Sequence, residues 1–306
     1  MRVAIVGTGA FAKYFINEFT AAGIEVVVLT RSHKDFLDGK KGVVEQRITD
    51  YSNVSELAEA LKDCDALVST IFDEKSPSAE THLNLLEACI QSPKCKRFIP
   101  SEYGGNEEDF SPEEVSVIYG HNEPLKKALK EQNDVEYTFV SLGWVADYIV
   151  PKTNRYHGDI GPLHPLDLHT RTMSIPGTGN DMFSLTSARD MAKAIAELLK
   201  SSNKWRPYTY VQGSQVTWLQ LAELMKTTGG MPDLKVVFEP LEEIKKQLEN
   251  KELFLIASFK LLAPSGGCTF DQGKVERDRA EHFPNVHLRT AKELLEAVKQ
   301  DPKVVV

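Results

Sequence analysis

Met1-Arg-Val-Ala-Ile-Val-Gly-Thr-Gly-Ala-Phe-Ala12 decides the fold class of this 306-residue chain. An apolar run leads into Gly7-x-Gly9-x-x-Ala12, and apolar residues at helical spacing follow as far as Gly23. Gly7 permits a tight strand-to-helix turn, Gly9 lets the backbone approach a pyrophosphate, and Ala12 is small enough for close helix–strand packing. The stretch therefore predicts a cradle for dinucleotide phosphates at a helix N-terminus, where free N–H groups and the helix dipole attract anions.

The chain after this stretch alternates between short apolar runs and helical patterns. A second strand at Glu25–Thr30 completes a βαβ unit of about thirty residues, the length of dinucleotide-binding units. Further strands are predicted at 42–48, 65–69, 96–100 and 135–141, and helices at 54–61, from Ser76 onward and at 115–132. This alternation predicts an α/β fold, a Rossmann doubly wound parallel sheet with helices on both faces.

The second half of the chain changes character at residue 151. Prolines and glycines crowd the segment 151–185, which we expect to be irregular and to begin the substrate region. Helices are then predicted at 188–199, 217–225, 241–248 and 290–298, and strands at 207–211 and 234–238. We therefore expect an NAD(P)-binding Rossmann domain at 1–150 and a smaller α/β substrate-binding region at 151–306, with some of its elements returning to the Rossmann sheet.

The composition excludes several classes of protein. A formal net charge of −8 at pH 7 argues against non-specific nucleic-acid binding, which needs a basic surface. No apolar run approaches the ~18 residues of a membrane span, and the apolar N-terminal run breaks at glycines, unlike a signal sequence. The four cysteines lack metal-site spacing: Cys64, Cys89, Cys95 and Cys268. We expect a cytoplasmic protein with no nucleic-acid, membrane or metal partner.

The residues after the second strand indicate which dinucleotide binds. NAD-selective units usually place an acid there to hold the ribose 2′-hydroxyl, but the sequence from Thr30 to Lys34 contains none. Arg31 is suited to a bidentate contact with a 2′-phosphate, and Lys34 supplies a point charge. The alternative is that both are solvated loop charges. The pattern favours NADPH.

Three further segments carry a resemblance to a known family. They are Arg97-Phe-Ile-Pro-Ser-Glu-Tyr-Gly104, Ser141-Leu-Gly-Trp-Val-Ala-Asp-Tyr-Ile-Val-Pro151, and Ile175-Pro-Gly-Thr-Gly-Asn180 followed by Arg189-Asp190. Over roughly residues 1 to 240 the chain resembles the NmrA-like and isoflavone-reductase-like branch of the atypical short-chain dehydrogenases. Within that branch it is similar to fungal NmrA-like proteins.

The resemblance implies a set of cofactor-binding residues, all of which follow predicted strands. Ligands of open α/β sheets bind at the carboxyl ends of the strands, so the positions are physically consistent. The implied contacts are Gly7, Thr8, Gly9, Ala10, Phe11 and Ala12 for the pyrophosphate, Arg31 and Lys34 for the 2′-phosphate, Asp50 and Tyr51 near the adenine, Ser69, Thr70, Ile71 and Phe72 beside the nicotinamide, and Pro100, Ser101 and Tyr103 bordering the reacting centre.

The chain departs from the family at the catalytic lysine. Counting back from the last strand puts its counterpart near Asn122 or Glu123, and neither is a lysine. Lys126 lies one helical turn further along and can reach the same cleft, unless it is a solvated surface charge like Lys127.

Other groups must then be considered as proton donors. The leading candidates are His121 and Tyr148, together with Lys126, and the further histidines of this region are His157, His164 and His169. The expected substrate pocket includes Trp144, Tyr148, Tyr103 and Asn122.

Two functions fit these observations. The first is an NADPH-dependent reductase of a small aromatic or polyketide-like metabolite in secondary metabolism, which transfers hydride to a carbonyl, enone or imine. The second is a non-catalytic redox sensor of the NmrA type that binds NADP(H) and acts through a protein partner; the missing lysine favours it, whereas the Pro- and Gly-rich segment favours a pocket. We expect a monomer or homodimer in either case.

Overall fold

A six-stranded parallel sheet forms the centre of the molecule. The computed structural model describes residues 1–71, 78–109 and 123–306. The strands stand in the order β3-β2-β1-β4-β5-β6. They are β1 (Arg2–Val6), β2 (Glu25–Thr30), β3 (Val43–Ile48), β4 (Ala66–Ser69), β5 (Arg97–Ile99) and β6 (Glu136–Tyr137). The order reverses between β1 and β4, which opens a crevice at their carboxyl ends. The predicted doubly wound α/β fold is confirmed.

Helices cover both faces of this sheet. On one face lie α1 (Ala10–Ala21) and α5 (Ala188–Lys200), which pack against each other; on the other lie α2 (Val54–Leu61), α3 (Ser78–Gln91) and α4 (Glu123–Glu131). Strands buried on both faces have near-continuous apolar sequences rather than alternating ones, as β1 and β2 do. The two apolar layers therefore fix the position of the crevice.

The later half of the chain returns to this core. Strand β7 (Phe139–Ser141) follows β6 and pairs in parallel with β12 (Tyr208–Tyr210), while α5 packs on α1. Strand β12 and helix α5 lie beyond residue 150, and they pack against β7 and α1 of the first half of the chain. Strands β7 and β12 form a two-stranded sheet separate from the six-stranded one. The domain boundary at residue 150 stays a prediction.

Two small sheets and a third apolar cluster form the C-terminal region. One sheet joins β8 (Trp144–Val145), β11 (Met182–Thr186) and β13 (Ser214–Thr217), and the other joins β9 (Leu166–Asp167), β10 (Thr172–Pro176) and β14 (Lys235–Glu239). Trp144, Phe183 and Trp218 lie in the apolar cluster between them. The helices are α6 (Trp218–Thr227), α7 (Leu241–Gln247), α8 (Phe254–Leu261), α9 (Gln272–His282) and α10 (Ala291–Gln300).

The C-terminal region corrects two expectations. The segment 151–185 is not irregular throughout, because β9, β10 and β11 form there by pairing with one another or with β8, β13 and β14. The sequence predicts neither α8 nor α9. Helix α9 buries only Val275, Asp278 and His282, so its sequence has no apolar stripe. No helix of the described ranges is long and apolar enough to span a membrane.

Gly143 explains the Leu-Gly-Trp motif after β7. It has a φ of +75°, and a Cβ at this position would lie 2.1 Å from the Ser184 carbonyl oxygen. The N–H groups of Leu142 and Gly143 both donate to the Gly104 carbonyl at 3.0 Å. The glycine thereby lets β11 approach closely and joins two of the motifs found in the sequence.

Candidate functional site

The turn after β1 is held by a glycine and a threonine. Gly7 has a φ of +98°, and a Cβ there would lie 2.7 Å from Thr70 Oγ1. Gly7 donates its N–H to the Leu29 carbonyl at 3.0 Å, and Thr70 donates both its N–H and its hydroxyl to the Val6 carbonyl at 2.8 Å. A side chain at position 7 would displace Thr70, so the glycine fixes the backbone path between β1 and β4.

Helix α1 begins at this turn with an uncovered N-terminus. Gly9 is its N-cap, and within the described ranges no side chain caps the first-turn N–H groups and no acid lies in the first turn. Gly9 is exposed, and a Cβ built on it meets nothing within 4 Å. Thr8, Ala10 and Phe11 are part-buried, and Ala12 is fully buried against the sheet. Uncapped N–H groups that face open space are suited to binding phosphate.

Two cations lie at the carboxyl end of β2. Arg31 is exposed and has no ion-pair partner among the residues that the structure describes. The Lys34 ammonium donates to the Ser32 hydroxyl at 2.9 Å. Gln46 holds the Lys34 backbone by accepting from its N–H at 2.9 Å and donating to its carbonyl at 3.2 Å. The loop is thus anchored to β3, and the Arg31 charge is available to an anion.

Sequence reasoning overlooked the acids of the same loop. His33 Nε2 lies 2.9 Å from Asp38 Oδ2 and 3.7 Å from Asp35 Oδ1. All three side chains are more than half exposed, so solvent and salt screen their charges. The two carboxylates therefore face His33 in a solvent-exposed cluster.

The loop after β3 is built around a tyrosine in the left-handed conformation. Tyr51 has a φ of +69° and donates its hydroxyl to the Leu29 carbonyl at 3.1 Å. Burial raises the pKa of Tyr51 to about 12, although the Arg31 charge acts to lower it. Asp50 is exposed, and hydrogen bonds from Ser52 lower its pKa. Tyr51 and Arg31 are thus neighbours at one edge of the crevice.

Tyr103 joins the carboxyl ends of β4 and β5 to helix α1. Its hydroxyl donates to the Ser69 carbonyl at 2.7 Å. Its ring packs on Phe11 and Phe15 with centroid distances of 5.2 and 5.3 Å. Burial raises the pKa of Tyr103 well above its usual value. Because Ser69 already accepts its proton, Tyr103 orients this wall of the crevice rather than offering a free donor.

The other positions expected near the nicotinamide are found at the same strand ends. The Ser69 hydroxyl lies 2.9 Å from His82 Nε2 in the buried space below the crevice. Phe72 lies outside the described residues. The remaining members are buried or part-buried: Thr70, Ile71, Pro100 and Ser101.

Lys126 is buried rather than solvated. Its side chain is 7% exposed, whereas that of Lys127 is 76% exposed. The Lys126 ammonium lies 2.7 Å from Glu107 Oε2 and 3.1 Å from Glu123 Oε1. Burial lowers the pKa of Lys126, but these carboxylates outweigh it and the pKa is raised. Lys126 is therefore a charged member of an internal ion-pair cluster, and its catalytic role stays a prediction.

Two buried acids in this cluster were not predicted. Glu102 and Glu107 are hydrogen-bonded to each other, and burial raises the pKa of both; their mutual repulsion adds to the shift of Glu102, while Lys126 opposes both shifts. Burial and the close approach of the two carboxyl groups thus favour a proton shared between them. Glu102 belongs to the Pro-Ser-Glu-Tyr motif, but nothing in the sequence indicates that its side chain is buried.

The two predicted aromatic pocket residues lie in different surroundings. Trp144 is 4% exposed and packs edge-on against His164 and Trp218, with centroids 5.3 and 5.6 Å away, so it belongs to the C-terminal core. Tyr148 is only part-buried, on a short 3₁₀ turn, with the Arg155 guanidinium 5.4 Å from its ring centre. Burial raises the pKa of Tyr148 to about 12. Its hydroxyl makes no hydrogen bond within the described ranges.

A buried aspartate next to Tyr148 connects the two halves of the molecule. Asp147 is fully buried, and its Oδ2 accepts the N–H of Ala188 at the start of α5 at 2.8 Å. Its carboxylate also contacts the Tyr14 hydroxyl, and its Oδ1 lies 3.6 Å from His157 Nδ1. His157 in turn packs edge-on against Phe11, with centroids 4.6 Å apart. His157 is among the candidate histidines of the sequence analysis, whereas no sequence pattern indicates that Asp147 is buried at this position.

The remaining candidates from the sequence are His121, Asn122, His164 and His169. The ring of His164 lies beside that of Tyr148, with centroids 5.5 Å apart. His121 and Asn122 lie outside the described residues. His164 is buried, and burial lowers its pKa to about 4, so it is neutral at physiological pH. His169 is exposed. Of the predicted donors, Tyr148 is the described residue with a part-exposed, unengaged hydroxyl.

Several known proteins are similar to this chain in sequence or in fold. The sequence profile described as the NmrA-like family matches residues 1–291. A protein named Oxidoreductase swnR from Arthroderma benhamiae is 37% identical and aligns over 100% of both chains, and one of the same name from Metarhizium robertsii is 38% identical over 99% of both. The solved structure of AtPrR2 with NADP+ and (+)pinoresinol superimposes with a TM-score of 0.78 at 20% identity, covering 97% of this chain and 98% of that one.

Proposed function

The chain belongs to the NmrA-like family, as its motifs predicted, and on that premise we propose that it is an NADPH-dependent oxidoreductase of a small-molecule substrate. The phosphate cradle carries the proposal. Gly7 fixes the turn against Thr70, and Gly9 leaves open space in front of the uncovered N-terminus of α1, at the crevice between β1 and β4. Relatives at 37% and 38% identity over nearly the whole chain bear the name oxidoreductase.

The residues around the crevice fit a 2′-phosphorylated dinucleotide. The first-turn N–H groups of α1 would hold the pyrophosphate, and Arg31 and Lys34 would hold the 2′-phosphate. No carboxylate lies between Thr30 and Lys34, where an NAD-selective site places one. NADPH bound there supplies a hydride for an electrophilic carbon. AtPrR2, which shares the fold, was solved with NADP+.

Tyr148 is the residue we assign as proton donor. With a pKa of about 12 its hydroxyl stays protonated at neutral pH, and the Arg155 guanidinium beside the ring stabilises the phenolate that proton donation leaves. Transfer of this proton to a carbonyl oxygen or imine nitrogen completes the reduction of that double bond. The aromatic surroundings favour a small aromatic or polyketide-like metabolite as substrate.

The ion-pair cluster of Lys126 favours a second candidate, a redox sensor without catalysis. The family lysine is absent near Asn122 and Glu123, and the Lys126 ammonium is engaged by Glu107 and Glu123. A protein that bound NADP(H) in the same cradle but lacked a proton donor would report cofactor occupancy to a partner. The two candidates share the cradle and differ in chemistry.

One experiment separates these outcomes. Purified protein is titrated with NADPH and with NADH, and then mixed with NADPH and a panel of quinones, enones, aromatic ketones and cyclic imines while the nicotinamide absorbance is followed. The proposal expects tighter binding of NADPH and oxidation of NADPH by at least one panel member. If the protein binds neither dinucleotide, the assignment of the first turn as a phosphate cradle is wrong. Tight binding of NADPH without turnover of any panel member supports the second candidate, the redox sensor.

A further inference from the structure

One of the two C-terminal sheets, β14-β10-β9, ends on a strand with an open edge. Strand β14 pairs in parallel with β10 on one side, and no described strand pairs with its other side. Val237 is 50% exposed and Phe238 is 52% exposed on this strand. Unpaired backbone groups beside exposed apolar side chains form a template for another strand. The open edge of β14 is therefore a candidate site for pairing with another strand.

The backbone groups of β14 that point outward are identified by its bonds to β10. The Lys235 N–H donates to the residue before β10 at 3.0 Å, and the Glu239 carbonyl accepts from the residue after β10 at 2.8 Å. Backbone groups alternate in direction along a strand, so Lys235, Val237 and Glu239 use theirs toward β10. The N–H and carbonyl groups of Val236 and Phe238 therefore point away from the sheet.

The sequence of this strand is complementary to itself when it runs antiparallel. In Lys235-Val-Val-Phe-Glu239, a two-fold axis at Val237 places Lys235 opposite Glu239 of a second copy, and Val236 opposite Phe238. The outward-pointing groups of Val236 and Phe238 then form the hydrogen-bonded pairs of an antiparallel ladder. A shift of the axis by one residue in either direction places a charge opposite Val237. Charge pairing and hydrogen bonding thus select the same register.

The side-chain faces agree with this register. Val236 and Phe238 share a face with Met173 and Ile175 of β10, both of which are fully buried. A second copy would continue this apolar face and cover Phe238. On the opposite face, Glu239 is 24% exposed and already bonded to Lys260 at 2.6 Å, which holds its carboxylate in place before association.

From these observations we propose that β14 is the interface of a two-fold symmetric homodimer, in which the strands of two copies pair antiparallel about Val237. The partner is a second copy of this chain, because the complementarity is that of the strand with itself. The β14-β10-β9 sheets of the two copies then form one continuous sheet across the axis. This inference is independent of the proposed reaction.

The first test measures mass by sedimentation equilibrium at micromolar concentration. The wild-type protein is expected at twice 34.2 kDa. Val237→Lys places two ammonium groups together at the axis and is expected to be monomeric. Val44→Lys is the matched control, since Val44 is 46% exposed on β3 at the edge of the large sheet and should leave the dimer intact. A wild-type mass of 34.2 kDa, or a dimeric Val237→Lys variant, overturns the proposal.

The second test uses charge reversal and hydrogen exchange. Lys235→Glu and Glu239→Lys each bring like charges together across the axis and should weaken self-association about tenfold, whereas the two variants mixed restore opposite pairs and form a heterodimer. In the wild type the Val236 and Phe238 amides should exchange slowly, and in Val237→Lys they should exchange rapidly. Equal exchange rates in the two proteins, with an unchanged melting temperature, would place the interface elsewhere.

Discussion

Alanine substitutions at the two glycines of the first turn are expected to separate folding from cofactor binding. At Gly7 the φ is +98°, and an alanine Cβ would lie 2.7 Å from Thr70 Oγ1, which is itself bonded to the Val6 carbonyl. Holding a side chain in that backbone region costs on the order of 1–3 kcal/mol, and displacing Thr70 adds to it. We expect Gly7→Ala to lower the free energy of unfolding by about 2–4 kcal/mol.

Gly9→Ala is the matched substitution with the opposite outcome. Gly9 has a φ of −73°, which alanine adopts freely, and its added methyl group would meet nothing within 4 Å. Loss of glycine flexibility in the unfolded chain leaves stability unchanged or raises it by up to about 1 kcal/mol. The methyl group occupies the space in front of the α1 N-terminus, so NADPH affinity should fall at least about tenfold, or ~1.4 kcal/mol.

Urea unfolding and calorimetric titration with NADPH measure the two effects on the same preparations. The expected result is a lower unfolding free energy in Gly7→Ala and weaker NADPH binding without lost stability in Gly9→Ala. Wild-type affinity in Gly9→Ala would refute the assignment of this turn as the pyrophosphate cradle. Wild-type stability in Gly7→Ala would refute the argument from its backbone conformation.

Three other substitutions test the rest of the site. Arg31→Glu should weaken NADPH binding at least about tenfold and leave NADH binding unchanged or stronger, whereas the exposed Lys41→Glu should change neither; an equal loss for both dinucleotides in a fluorescence titration would contradict the 2′-phosphate contact. Tyr148→Phe should lower kcat about 10²–10⁴-fold with NADPH affinity unchanged, and since the pKa of Tyr148 is about 12, its titration should not reduce the wild-type rate between about pH 7 and 9; steady-state kinetics with an accepted substrate would exclude the role if kcat were retained. Lys126→Met removes the buried cation from Glu102 and Glu107 and should lower the free energy of unfolding by about 3–5 kcal/mol at neutral pH. The folded-state pKa values of both acids are raised, so their protonated forms stabilise the fold at low pH and this stability is lost as pH rises through those values; denaturant unfolding should show a smaller loss near pH 5 than near pH 8, and a pH-independent loss would contradict the shared-proton account.

The geometry of the candidate cofactor end could be predicted because its determinants are local in sequence. Gly7, Gly9 and Ala12 lie within six residues, and the strand, turn and helix that position them are specified by the same short stretch. To place Arg31 at the same site, one must also infer that β2 ends beside β1. The βαβ pattern indicates this arrangement. Local glycine geometry and strand order therefore suffice for this half.

The reacting end depends on contacts between residues that are distant in sequence. From the sequence, Lys126 could either extend into the cleft or be a solvated surface charge. It is in fact buried, because it pairs with Glu107, a loop residue nineteen positions earlier in the chain. The family resemblance places Trp144 in the substrate pocket, but its environment is decided by Trp218 and His164 from two other elements. Single-residue chemistry cannot specify such environments before the topology is known.

The packing around Phe11 links these two halves of the site. Its ring lies between Tyr103, whose hydroxyl is bonded to the carbonyl at the end of β4, and His157, which approaches Asp147. Asp147 in turn holds the first N–H of α5, the helix that packs on α1. These contacts join the N-terminus of α1, through packed rings and the Asp147 carboxylate, to the turn that carries Tyr148. Tyr148 is therefore positioned by the same packing that holds the start of α1, a link between residues distant in sequence that no local pattern indicates.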